Sequence, residues 1–150
     1  MMSRSEAASQ FFHEGYNCAQ SVALAFSDVF EQKAGISRES LLALSSGFGG
    51  GIARQREVCG CVSGMTLVLG VLYPAGTDKE GRARNYERVQ CLCGRFREAC
   101  GSIVCRDLLG LGKSSAPESP VPSERTPAFY HSRKCADLVA LAASLLEEEL

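Results

Sequence analysis

The chain has 150 residues, 45% of them hydrophobic, with 16 lysines and arginines against 17 acidic residues. That length suits one compact domain over 1–150, and that hydrophobic share buries a core without help from disulfides or a metal. The formal charge of −1 argues against nucleic acid or an anionic membrane as partner, since both select a basic excess.

Residues Met1 to Phe12 mix Arg4 and Glu6 with small polar residues and hold no apolar run, so they do not read as a secretory signal. Asn17 then reads as the cap of a helix over 18–33, with Ala19, Val22, Ala23, Phe26, Val29 and Phe30 on its apolar face and Gly35 at its stop. Gly47-Phe48-Gly49-Gly50-Gly51 follows, with Arg54 and Arg56 just beyond. Glycines allow positive φ and close backbone approach, and successive N–H groups can cradle an anion. Gly49, Gly50 and Arg54 are therefore the candidate cofactor contacts, and the segment reads as the turn that delivers Cys59. It lacks a Walker Lys-Ser/Thr and follows no strand, so a nucleotide site is not expected.

Val58 to Tyr73 is apolar on all sides and reads as the central helix, just short of membrane-spanning length. Gly60 and Gly64 share one of its faces, which invites close approach by a helix of this chain or of a second subunit, and a homo-oligomer is the expectation. Asp78 caps a helix to about Ala99. Val89, Leu92, Cys93, Phe96 and Cys100 form its apolar side, opposite Arg82, Arg84, Glu87, Arg88, Arg95 and Arg97. Ser102 is placed to cap a short turn over 103–109, and Ser132 the last helix, whose apolar face is Leu138, Leu141, Ala142, Leu145 and Leu146. Residues 111–130 carry four of the five prolines among serines. They read as an exposed connection too polar and proline-rich for helix, serving as a lid, an interface arm or a mobile link. No stretch alternates with period two. The expected fold is an all-α bundle of about five to six helices around residues 58–73. No segment is expected to insert in a membrane, and the expected location is the cytoplasm.

In a reducing compartment, eight cysteines are not expected to be structural disulfides. Four of them fall in first turns of helices: Cys18 after Asn17, Cys59 after the glycine-rich turn, Cys105 after Ser102 and Cys135 after Ser132. A helix start presents unpaired N–H groups and partial positive charge, which favours thiolate over thiol. Convergence of four such starts would suit a thiolate-bound centre, whereas any one of these cysteines taken alone reads better as a small buried hydrophobe. Cys93 and Cys100 read as core and Cys91 as a partly exposed thiol. Cys59 and Cys61 lie about 200° apart on a regular helix, so both act together only if that helix begins irregularly at Gly60. The spacings match no zinc ribbon and no haem attachment motif; His131, four before Cys135, reads as a surface histidine.

The order Gly15-Tyr16-Asn17-Cys18-Ala19-Gln20, Gly47-Phe48-Gly49-Gly50-Gly51 and Cys59-Gly60-x-x-x-Gly64 resembles the redox-active protein family named for its C, GCAxxG, C and C elements. Gly101-Ser102 to Cys105-Arg106, Leu108-Leu109-Gly110 and Cys135 extend the resemblance over nearly the whole chain. It implies that Cys18, Cys59, Cys105 and Cys135 are the family's four cysteines. Cys61 stands where the motif has alanine. The family is also similar to part of the split-Soret cytochromes, which carry haem and are linked with an iron–sulfur centre; without a haem attachment motif here, haem is not carried over.

Three functions follow as expectations. The first is electron transfer or redox sensing, with an unidentified redox partner, through a centre held by the four thiolates as both metal ligands and reacting groups, a [2Fe–2S] cluster being the candidate cofactor. The second is thiol–disulfide exchange with Cys59 as nucleophile. The third is a non-redox helical assembly or binding protein with packed cysteines or structural zinc.

Overall fold

A computed structural model describes residues 1–112 and 118–150; Pro117, within the expected connection, lies outside the described residues. The described chain is all-α, with helices α1 (Arg4–His13), α2 (Cys18–Leu24), α3 (Ser27–Ala34), α4 (Arg38–Ser45), α5 (Gly60–Leu72), α6 (Lys79–Cys100), α7 (Cys105–Leu108), α8 (Pro127–Ser132) and α9 (Cys135–Glu147). The helices beyond the expected five or six are α1, the division of 18–33 into α2 and α3, and α8 at the end of the connection. The only β-pairing among the described residues is one antiparallel bridge between Val58 and Val104.

Asn17 caps α2 as expected, accepting a hydrogen bond from the Gln20 amide while the Gln20 side chain accepts from the Asn17 amide. The helix expected over 18–33 nonetheless breaks at Ala25–Phe26, where Phe26 has φ −120° and ψ 22°. A continuous helix would give the Ala25 carbonyl to the Val29 amide. Here Arg4 Nη1 donates to that carbonyl at 2.7 Å, and Val29 donates to Phe26 instead. The break keeps Phe26, Val29 and Phe30 all buried. Gly35 ends α3 in the left-handed conformation, φ 64°.

Helix α5 buries Cys61, Val62, Met65, Val68 and Leu69 against α2, α3, α6 and α9. It is central but not enclosed, because Thr66 reaches the surface. The expected small-residue contact forms within this chain. A Cβ at Gly60 would lie 3.0 Å from Cys18 Cβ, and one at Gly64 would lie 2.9 Å from Val22 Cβ. Both glycines therefore face α2, so they carry no argument about a second subunit.

Asp78 caps α6, its carboxylate accepting from the Gly81 amide at 2.7 Å. Only Leu92 and Phe96 of α6 are buried, while Val89, Cys93 and Cys100 are half-buried and Cys91 is exposed. Its first three turns therefore project from the bundle, with Arg88 stacked 3.8 Å from the Tyr73 ring centroid. Helix α9 packs along α1, where Ser5 Oγ donates to the Ala140 carbonyl.

Three expectations about the C-terminal third are corrected. Ser102 does not cap α7, which starts at Cys105 after Val104 with no side-chain cap, and Ser102 Oγ accepts from the Val104 amide instead. Residues 127–130, expected to be non-helical, begin α8, because Pro127 sits in its first turn and Thr126 caps it by accepting from the Phe129 amide. Ser132 ends α8 rather than capping the last helix, and α9 starts at Cys135 with Lys134 as a cap that makes no side-chain bond.

Candidate functional site

The four helix-start cysteines line one cavity of about 360 Å³. Cys18, Cys105 and Cys135 are each the first residue of their helices, and Cys59 is the residue immediately before α5. Gly49, Gly50 and Arg54 line the same cavity, together with Gly51, Arg56, Phe12 and Phe129. All seven sequence-derived site residues are thus brought together.

Two of the cysteines are placed by the bridge. Cys59 N–H donates to the Ile103 carbonyl at 2.8 Å and Cys105 N–H to the Glu57 carbonyl at 2.7 Å, on either side of the Val58–Val104 pair. Alternation puts Cys59 and Cys105 on the face opposite the bridged valines. The other two meet through helix packing. Cys18 abuts the start of α5 at Gly60, and helix packing of α2 against α9 and α5 brings its thiol into the electrostatic neighbourhood of Cys135 and Cys61. Cys61 is fully buried and reaches both Cys18 and Cys59, so it joins the thiol group from behind rather than lining the cavity. The irregular start of α5 is what allows this, since Cys59 has φ −54° and ψ 134° and stands outside the helix.

Charge is distributed unequally over these thiols. Hydrogen bonds from Cys135 and Cys61, and the charge of Arg125, hold Cys18 well below the ordinary thiol range despite its burial. Cys135 is pushed up, first by the neighbouring Cys18 thiol and then by burial. Burial and the neighbouring thiols push Cys61 far up, and burial raises Cys105. Of Cys18, Cys105 and Cys135, only Cys18 meets the expectation that a helix start favours thiolate. Helices of seven and four residues, as at Cys18 and Cys105, supply little macrodipole, so desolvation and direct hydrogen bonds decide.

The glycine-rich turn is wound left-handed. Gly50, Gly51, Ile52, Ala53 and Arg54 all have φ between 51° and 69°, and Arg56 has φ 61°. Each non-glycine residue there costs roughly 1–2 kcal/mol. A Cβ on Gly51 would come within 2.7 Å of both Cys105 Cβ and the Glu57 amide nitrogen, so the turn lies directly beneath Cys105. It also aims two arginines at the cavity. Arg56, 7% exposed, points Nη1 at Cys105 Sγ (3.7 Å) and donates from Nε and Nη2 to Glu118 at 2.7 and 3.0 Å. Arg54 donates to Glu118, to the Ser119 carbonyl and to Ser123 Oγ. Its guanidinium, expected to meet an anion, is thus engaged by residues 118–123.

Sequence reasoning did not single out Glu118 and Arg125. Both lie in the stretch read as an exposed connection, and no local pattern pairs them with arginines and carbonyls far away in the chain. Asn17, in contrast, is readable, and its replacement by alanine at the start of α2 is expected to cost about 1 kcal/mol, measurable by urea denaturation.

Among the described residues, no three His, Cys, Asp or Glu side chains gather closely enough to hold a single metal ion. No helix is long and apolar enough to cross a membrane among those residues.

An all-α fold that gathers four separate helix-start cysteines around one cavity defines a cysteine-centred helical protein. The chain belongs to the family described as "Putative redox-active protein (C_GCAxxG_C_C)", which it matches over residues 16–149. No curated protein and no solved structure matches it. Membership supports a general redox role.

Proposed function

We propose that the protein transfers electrons or senses redox state through a centre bound by Cys18, Cys59, Cys105 and Cys135. The observation that carries this reading is their arrangement around one cavity as two pairs, Cys18 and Cys135 at the starts of the packed helices α2 and α9, and Cys59 and Cys105 flanking the Val58–Val104 bridge. A single zinc ion needs its thiolates closed around one point. Two pairs across a cavity suit a bridged centre better, and an all-thiol donor set suits [2Fe–2S]. Such a cluster, when bound, cycles by one electron at a potential set by local charge, hydrogen bonds and solvent exposure. The chain's part is to supply the pairs, to present Arg56 as a donor beside Cys105, and to keep water away with Phe12 and Phe129. Anaerobically purified protein is expected to absorb between about 320 and 600 nm and to contain iron and sulfide. Colourless protein that gains no iron on reconstitution would overturn this reading.

A second reading, thiol–disulfide exchange, is favoured by the Cys18–Cys135 pair. The attacking thiolate would be Cys18, held low by Cys135, rather than Cys59. Cys18 sulfur would bond to one sulfur of a partner disulfide as that S–S bond breaks and the other sulfur leaves as thiolate. Cys135 would then lose its proton and attack Cys18, forming the Cys18–Cys135 disulfide and releasing the partner as a dithiol. Loss of two protons' mass, mapped to Cys18 and Cys135 in colourless protein, would favour it.

A further inference from the structure

We propose that residues 118–125 form a strap that closes the cysteine cavity, with the Glu118 carboxylate as its latch. Pro120, Pro122, Ser123 and Arg125 line the cavity beside the four cysteines. The strap is fixed at both ends by arginines, in opposite senses. At its start, Glu118 accepts from Arg54 (3.2 Å) and from Arg56 (2.7 and 3.0 Å), both of which the body of the protein supplies. At its end, the strap supplies Arg125. That side chain donates to the Phe12 carbonyl at 2.9 Å and the Tyr16 carbonyl at 3.1 Å, and lies 4.3 Å from the Phe12 ring centroid. One fastening is therefore beside Cys105 and the other beside the turn that leads into Cys18.

The two fastenings differ in how easily they release. Arg125 is held by backbone carbonyls and aromatic faces. The other end is held by the Glu118 carboxylate, which is one-third exposed, and by the Ser119 carbonyl and Ser123 Oγ, both of which accept from the same Arg54 that pairs with Glu118. Between them, Pro120 and Pro122 limit the backbone conformations available, so the segment is suited to swing as a unit rather than to collapse locally. Arg56 also connects the latch to the site, because the guanidinium that holds Glu118 donates to Cys105 Sγ. Opening at Glu118 would admit solutes to the thiols and leave Arg56 to Cys105 alone.

The inference rests on the cavity being the redox site, but it is a statement about access and is testable on protein without any redox centre. The full chain, reduced and stripped of metal by chelation, is labelled with N-ethylmaleimide and with a polyethylene-glycol maleimide, and each cysteine is read by peptide mass spectrometry. The ratio of bulky-probe to small-probe rates cancels the intrinsic reactivity of each thiol. In Glu118→Gln this ratio at Cys18 and Cys135 is expected to rise about five- to tenfold, as loss of a charge-assisted bidentate pair raises the open fraction. Exposed Cys91 should not change. Arg54→Gln, which removes the other partner of the latch, should shift the ratio the same way. An unchanged ratio in both variants, with wild-type circular dichroism, would overturn the strap. So would an equal rise at Cys61, behind the cavity wall, since that would mean general loosening. A colourless protein that passes this test would remove the cluster and leave the strap.

Discussion

Replacing Gly64 by leucine is expected to lower the unfolding free energy by about 3 kcal/mol, at the upper end of what overpacking a close-packed contact costs. At Gly64 the backbone of α5 comes so near α2 that a Cβ would lie 2.9 Å from Val22 Cβ and 3.1 Å from the Ala19 carbonyl oxygen. The side chain of Val22 can yield a little, but the Ala19 carbonyl is part of the α2 ladder and cannot. Alanine separates the two contributions. It adds the clashing Cβ but recovers about 1 kcal/mol of helix propensity, so Gly64→Ala should fall between wild type and leucine. Urea titration followed by circular dichroism measures both. For a domain of ordinary stability, about 5–15 kcal/mol, the leucine variant should still fold but with a clearly lower midpoint. A leucine variant as stable as wild type would mean that α2 and α5 do not cross at this glycine. The consequence for the site is direct: the crossing that Gly64 permits also sets Cys18 against Gly60, one residue from Cys59.

That crossing shows how much could be read from the amino acids alone. Gly60 and Gly64, four apart in an apolar run, announced a close approach, but not that its partner was α2. The Asn17 and Asp78 caps were legible because capping is local. The break at Ala25 was not, because its cause is Arg4, about twenty residues away in sequence, taking a carbonyl that helical periodicity assigns to Val29. The four cysteines were legible from their positions at helix starts and from the family pattern. Their meeting in one cavity was not, since it depends on a single bridge at Val58 and on the packing of α2 and α9. The charges on Cys105 and Cys135 are not legible from helix position, for a related reason. The helix-start argument counts partial charges along one element, whereas Cys105 and Cys135 are governed by burial and by thiols arriving from other elements. Glu118 was hidden most completely: an acidic residue beside prolines looks like solvated loop until Arg54 and Arg56 are found opposite it.

The functional counterpart of the Gly64 experiment is Cys135→Ala, which should make Cys18 at least about tenfold less reactive towards iodoacetamide at pH 7, since each unit of pKa rise above ambient pH removes a factor of ten in thiolate. The hydrogen bond from Cys135 is the foremost cause of the depressed Cys18 pKa, ahead of Cys61, while burial acts in the opposite direction. Without Cys135, burial is opposed only by Cys61, Arg125 and the backbone. The sign follows from the pairing. A folded-state pKa below the unfolded one means that the Cys18 thiolate adds stability that is fully present above the unfolded thiol pKa, declines below it, and is lost as pH falls through the folded value. Cys135→Ala should therefore also flatten the dependence of stability on acidification, a readout that needs no cofactor. Cys135→Ser retains a donor at the same place and should restore part of the reactivity. The Cys91→Ala control, on an exposed position of α6, should alter none of these. Equal Cys18 alkylation rates in wild type and Cys135→Ala would dissolve the pair, and with it both the disulfide reading and one of the two thiolate pairs proposed to hold the centre.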